Sequence, residues 1–186
     1  MRISIFIIIL MILIGCSDDQ LPKPYGEVRL EYPEAVYTTF ETECPFMFEY
    51  SSLAIKKPKD SICSYNIYYP NMKATIYLTY EEIPDTGIYD LIQDSEKSVY
   101  EPHTSRATYI EPKLIVRERA HVFGTLYELG GESAMNYQFH LTDSTHHFLR
   151  GSVYFRSHPK PDSLAPALSY IKKDVMRLME TLQWRN

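Results

Sequence analysis

Tyr65-Asn66-Ile67-Tyr68-Tyr69-Pro70-Asn71-Met72-Lys73-Ala74-Thr75-Ile76-Tyr77-Leu78-Thr79-Tyr80 alternates apolar with polar residues on both sides of a Pro-Asn break. Period-two spacing on either side of a turn dipeptide predicts two strands paired across a tight connection. Upstream, Phe46, Phe48 and Tyr50 alternate with Met47 and Glu49 in the same way. Aromatic rings that cross a sheet usually pack against one another, which makes the tyrosines core residues. A row of them left on the surface would instead grip a glycan or an extended peptide, and the spacing leaves both readings open.

Working towards the C-terminus, Pro84-Asp85-Thr86 offers an N-cap, and Ile88, Leu91, Ile92 and Val99 fall on one side of a helix that should end by Pro102. Four more strand-like runs follow, Thr108 to Val116, His121 to Leu129, Met135 to Thr142 and Phe148 to Phe155, with Gly130-Gly131 and Asp143-Ser144 as turns. After Pro159-Lys160-Pro161, Asp162 or Ser163 can cap a last helix, and Pro166 falls in its tolerant first turn. Leu164, Leu168, Ile171, Val175, Leu178, Met179 and Leu182 recur there at spacings of three and four, which predicts an amphipathic C-terminal helix laid on a core. Strands, helix, strands and helix together predict an α+β domain, an antiparallel sheet covered by helices. That order resembles the Mog1/PsbP-like fold.

Towards the N-terminus the character changes. Met1-Arg2 precedes a run from Ile3 to Ile14 in which only Ser4 is not apolar. A membrane-spanning helix needs roughly 20 apolar residues, so this run has the length of a signal-peptide core. An uncleaved membrane helix is the competing reading, but Ser17-Asp18-Asp19-Gln20 follows at once with no basic stop-transfer cluster. Leu13-Ile14-Gly15-Cys16 resembles the lipobox of bacterial lipoproteins. A thiol is needed to take the diacylglyceryl group, and a small residue before it gives the signal peptidase access. Residues 1–15 are therefore expected to be a signal peptide and Cys16 the lipid attachment site, with several acyl chains giving stable anchoring. Residues 16–24 read as a polar tether, and 25–186 as one globular domain of ordinary size. Asp18-Asp19 resembles the surface-export signal of some Bacteroidota lipoproteins, and equally suits a solvated tether.

The formal net charge is −5 and no lysine-arginine run occurs, so nucleic acid is not an expected partner. Three cysteines are present. With Cys16 lipidated, Cys44 and Cys63 can pair, as an oxidising compartment favours. Neither has the spacing of a metal knuckle or a redox pair.

Chemistry is harder to find. Thr142-Asp143-Ser144-Thr145-His146-His147 brings hydroxyl, carboxylate and imidazoles close in sequence, but a hydrolase needs them in fixed geometry. A polar hairpin turn is the simpler reading. Adjacent strand residues point to opposite faces, so His146 and His147 are poor co-ligands. A site joining His121, His140 and one of that pair would have to form across the sheet. Glu81-Glu82 reads as a solvated strand end. No HExxH, GxSxG, phosphate loop or dinucleotide fingerprint is present. No catalytic residue, metal site or cofactor is assigned, and an enzyme is not expected.

Several segments together resemble one family, the gliding-motility lipoprotein GldD of Bacteroidota. They are Pro22-Lys23-Pro24 with Gly26, Arg29-Leu30-Glu31-Tyr32-Pro33, Cys44-Pro45-Phe46 with Phe48-Glu49-Tyr50, the run from Asn66 to Tyr77, Tyr127-Glu128 with Gly130-Gly131, Gln138-Phe139, Thr142-Asp143-Ser144, His147-Phe148-Leu149, Gly151-Ser152, Tyr154-Phe155, and the closing Met179-Glu180-Thr181-Leu182-Gln183-Trp184. The resemblance implies a cell-envelope component required for gliding and linked to type IX secretion. It further implies anchoring by lipid outside the cytoplasm, expected on the outer membrane facing the periplasm, with the cell surface as the alternative. Partners would be other gliding or secretion envelope proteins, and the resemblance supplies no catalytic residues.

Overall fold

The computed structural model describes residues 32–105, 107–131, 135–156 and 161–185, apart from the side chains of 161–163. The expected signal peptide (1–15), Cys16 with its lipid, the 16–24 tether with Asp18 and Asp19, and the capping side chains of Asp162 and Ser163 lie outside the described residues.

In chain order the strands are β1 (Tyr37–Thr39), β2 (Phe46–Met47), β3 (Glu49–Ser51), β4 (Ile55–Pro58), β5 (Tyr65–Tyr69) and β6 (Ala74–Glu82), then β7 (Ala107–Arg117), β8 (Val122–Gly131), β9 (Tyr137–Thr142), β10 (His147–Phe155) and β11 (Gln183–Trp184). Helix α1 (Tyr89–His103) follows β6, and α2 (Pro161–Thr181) follows β10. β5 and β6 pair as the alternation predicts, Tyr69 opposite Ala74 and Tyr65 opposite Leu78. Their connection is a 3-10 turn over Pro70–Met72, closed by Lys73 in the left-handed region at φ 50°. Strands β7 to β10 form an antiparallel meander, and β10 then returns to pair with β6 over nine residues, His147 opposite Glu82 through Phe155 opposite Ala74. One seven-stranded sheet results, in the order β4-β5-β6-β10-β9-β8-β7. With two helices laid against it, the architecture is α+β.

Its two edges are β4 and β7. An exposed edge offers unpaired backbone to other chains, and lysine and proline blunt it. β4 carries Lys56, Lys57 and Pro58, and the eleven-residue β7 carries Pro112 at its middle.

Alternation gives the sheet two unlike faces. Ile67, Ile76, Leu78, Leu126, Phe139, Leu141, Leu149 and Val153 are buried on one face under Ile171, Val175, Leu178 and Met179 of α2. Each such side chain contributes about 1.5–3 kcal/mol on burial, so this face holds most of the fold together. Phe40, Phe46 and Phe48 close it, with the rings of Phe40 and Phe48 stacked at 4.5 Å. The Cys44–Cys63 disulfide, with Cα atoms 5.5 Å apart, fastens this aromatic cluster to the start of β5. Asp174 is buried on α2, accepts a hydrogen bond from the Tyr37 hydroxyl at 2.9 Å and so holds β1 to the helix. Burial raises its carboxyl above the usual range. At the far end of α2, Arg117 Nη1 donates to the carbonyls of Met179 and Leu182 at 2.9 and 2.8 Å, supplying a cationic cap to groups a helix leaves unpaired. The chain closes with β11 paired to β2.

On the opposite face α1 covers only a strip. Ser95, Val99 and His103 are its buried residues, and Val99 packs with Tyr127, Leu129 and Ile110 in a small separate cluster. The expected N-cap at Asp85-Thr86 is replaced by a turn. Gly87 N–H donates to the Pro84 carbonyl at 2.8 Å with φ +98°, a conformation that suits glycine, and the helix starts two residues later. Gly130-Gly131 is likewise not a turn between strands but the end of β8. The Tyr109 ring lies over Gly130, where a side chain would collide with it.

Candidate ligand-binding cleft

The tyrosines divide between the two faces by strict alternation. Tyr65, Tyr69 and Tyr80 belong to the α2 face: Tyr69 is buried, Tyr65 packs edge-on to Phe40 at 5.0 Å, and Tyr80 lies 5.7 Å from Phe46. Tyr68, Tyr77 and Tyr154 project from the other face and are half-buried. Register places them together. Tyr68 and Tyr154 both stand opposite Thr75, and Tyr77 stands opposite Asn66 and Ser152. Lys57 Nζ sits 4.6 Å above the Tyr68 ring, a cation–π contact.

Beside these rings, α1 leaves a cleft of about 360 Å³ along β6, β10 and β9, lined by Tyr77, Thr79, Gln138, Arg150 and the α1 hydroxyls Ser95 and Ser98. Its volume is in the range of small-molecule sites, about 300–1,000 Å³. Gln138 is buried, yet its Nε2 has no hydrogen-bond partner. A buried amide left unpaired costs about 1–3 kcal/mol. Arg150 Nη2 donates to Glu81 Oε1 at 2.6 Å with both side chains about one-third exposed, so the cleft is polar but its charge is balanced. Glu81 is thus an ion-pair partner, whereas Glu82 beside it is exposed.

The six-residue stretch from Thr142 to His147 is a turn built around Asp143. Asp143 Oδ1 accepts backbone N–H bonds from Thr145, His146 and His147 at 3.0, 2.8 and 2.8 Å. Burial works to raise this carboxyl, but those N–H groups outweigh it and hold the pKa below the ordinary range. Ser144 is left-handed at φ 72° and its N–H donates to Thr142 Oγ1. His146 is largely exposed. His147 stacks on Trp184 at 5.2 Å and its Nδ1 lies 2.8 Å from the Tyr80 hydroxyl, while burial lowers its pKa.

His140 lies on the other face of the sheet, stacked on Phe148 at 5.5 Å with Nδ1 3.3 Å from Ser95 Oγ. Burial brings its pKa down to about 4. His121 touches the His147 side of the sheet through its backbone carbonyl, which accepts from Trp184 Nε1 at 3.0 Å. The histidine site considered across the sheet therefore does not form, because the sheet itself separates His140 from His147. Among the described residues no group of three or more His, Cys, Asp or Glu is placed to hold a metal.

Gln138, Ser152 and Tyr154 carry part of the family resemblance in the sequence, but nothing there gives them or Arg150 a binding role. Gln138, His140 and Thr142 put a polar side chain at every second position of β9, and all three are buried. That alternation marks a face covered by something polar, and it was legible as a pattern before its meaning was.

No helix of the described residues is long and apolar enough to cross a membrane. None of the curated proteins matches the chain. The model of the family described as gliding motility lipoprotein GldD matches residues 17–184.

Proposed function

Because the chain belongs to the gliding motility lipoprotein GldD family, we propose that it is a non-catalytic assembly or structural component of the cell envelope that serves gliding and type IX secretion. It is held by lipid on Cys16, on the outer membrane facing the periplasm, and acts by binding other envelope proteins of that machinery. The carrying observation is a family match over nearly the whole chain. The non-catalytic part is supported by the Asp143 turn, whose carboxylate is occupied by three backbone N–H groups and so has little basicity left for catalysis.

Leu114 and Val116 on β7 are 81% and 61% exposed, an apolar pair suited to a protein contact. A photoreactive phenylalanine in place of Leu114, activated in living cells, is expected to give a reproducible adduct with a gliding or secretion protein. No adduct there or at Val116 would count against the assembly reading. Protease added to intact cells is expected to spare the body until the outer membrane is opened. Digestion in intact cells would move it to the surface, and protection regained in an Asp18→Ala/Asp19→Ala variant would make that pair the export address.

A second reading is favoured by Tyr68, Tyr77 and Tyr154, half-buried on the face away from the core. It makes that tyrosine-bearing face a grip for a glycan or an extended peptide.

A further inference from the structure

We infer that the cleft between α1 and the sheet, with Tyr77 at its border and Gln138 in its wall, binds a neutral oligosaccharide. The inference rests on the second reading above and narrows it to one ligand class and one place.

Three observations carry it. The first is the unpartnered Gln138 Nε2, on a side chain more than nine-tenths buried in the wall of the cleft. A buried amide donor without a partner is completed by an acceptor oxygen brought from outside. The second is the backbone. The cleft runs along β6, β10 and β9, each hydrogen-bonded to a strand on both sides. Extended peptides are gripped chiefly by main-chain hydrogen bonds at a free sheet edge, and no such edge exists here. What the cleft offers is side-chain chemistry, an amide, a guanidinium and hydroxyls, beside an aromatic ring. The third is charge. Arg150 is already matched by Glu81 at 2.6 Å, so the site supplies planar donors and acceptors without net attraction for an anion. Paired donors and acceptors suit adjacent sugar hydroxyls, and the rings of Tyr77, Tyr68 and Tyr154 suit the apolar faces of sugar units continuing out of the cleft.

The test uses the full lipoprotein in detergent micelles, titrated with maltohexaose, cellohexaose, N-acetylchitohexaose and mannohexaose, and separately with peptides from digested casein. At least one hexaose is expected to bind at about 1 mM or tighter. Gln138→Leu and Tyr77→Ala should each weaken that binding about tenfold, the loss of one good contact, with thermal unfolding unchanged. If Gln138→Leu does not fold, Ser98→Trp on the exposed rim of α1 takes its place by filling the cleft. Loss of binding in Tyr77→Ala with none in Gln138→Leu or Ser98→Trp would put the sugar on the open tyrosines and overturn the cleft, while leaving the second reading in place. Binding of casein peptides and no hexaose would overturn the sugar and leave the face a peptide surface. Binding of neither removes the inference and the second reading together.

Discussion

Replacing Cys44 and Cys63 together by alanine is expected to lower the unfolding free energy by about 3 kcal/mol, the loop-closure value for a bridge of this span. The two are 19 residues apart. The enclosed loop carries β2, β3 and β4, none longer than four residues, and short strands hold little by themselves. Cys44 is buried at the edge of the Phe40, Phe46 and Phe48 cluster, so opening the bridge frees the segment that closes the core. Chemical denaturation of the double variant against the wild type, both in the same detergent, measures the difference. A change below roughly 1 kcal/mol would mean that the aromatic packing, and not the bridge, sets the position of this segment.

The second large effect is a loss of stability in acid centred on His140. Burial brings its folded pKa down to about 4, whereas an unfolded imidazole titrates near 6.5. Between those values the unfolded chain takes a proton that the folded one refuses, so stability from this residue is complete above about pH 6.5 and falls as the pH drops towards 4. The difference amounts to about 3 kcal/mol. A His140→Phe variant keeps an aromatic ring beside Phe148 and removes the titration. Relative to the wild type, it should gain about that much between pH 7 and pH 4. Parallel pH profiles for the two proteins would show that His140 is charged in the fold or titrates normally. Asp174 cannot mimic the effect. Its folded pKa is raised, so its contribution is present at low pH and declines as the pH rises through the folded value.

Much of the sheet was legible because its strands alternate. The run from Tyr65 to Tyr80 specified β5 and β6 almost to the residue, and the four later runs correspond to β7 through β10 within two residues at either end. β4 was missed because Ile55-Lys56-Lys57-Pro58 has no alternating apolar face, as befits an exposed edge. β2 and β11 were missed as a pair, since two-residue strands 136 or more positions apart carry no local signal. The return of β10 to β6 was equally hidden, because pairing across such a gap depends on which faces the strands must bury together. The cleft needs one fact more. Alternation announced two kinds of tyrosine, but only the landing of α1 along β9 decides that Gln138 and Arg150 face a cavity and not solvent. The start of α1 failed for a local reason: Thr86 looks like a cap, yet Gly87 adopts a positive φ just after it and delays the helix.

The position of the Cys44–Cys63 bridge also fixes how this molecule takes tension. Load applied to the chain ahead of residue 32 meets Tyr32, packed edge-on against Tyr170, and then β1, three residues paired with β3 and held to α2 by the Tyr37–Asp174 bond and by Arg177 over the Tyr37 ring. An antiparallel pair pulled from one end opens like a zipper, one bond at a time, and yields to small forces. Peeling next meets the buried Phe40, and beyond it can go no further than Cys44, because the covalent link passes the load to Cys63 and on to β5, which is bonded to a strand on each side. A tug at that end therefore lengthens the leash by at most about a dozen residues, roughly 40 Å of slack, with the sheet and its cleft held behind the bridge.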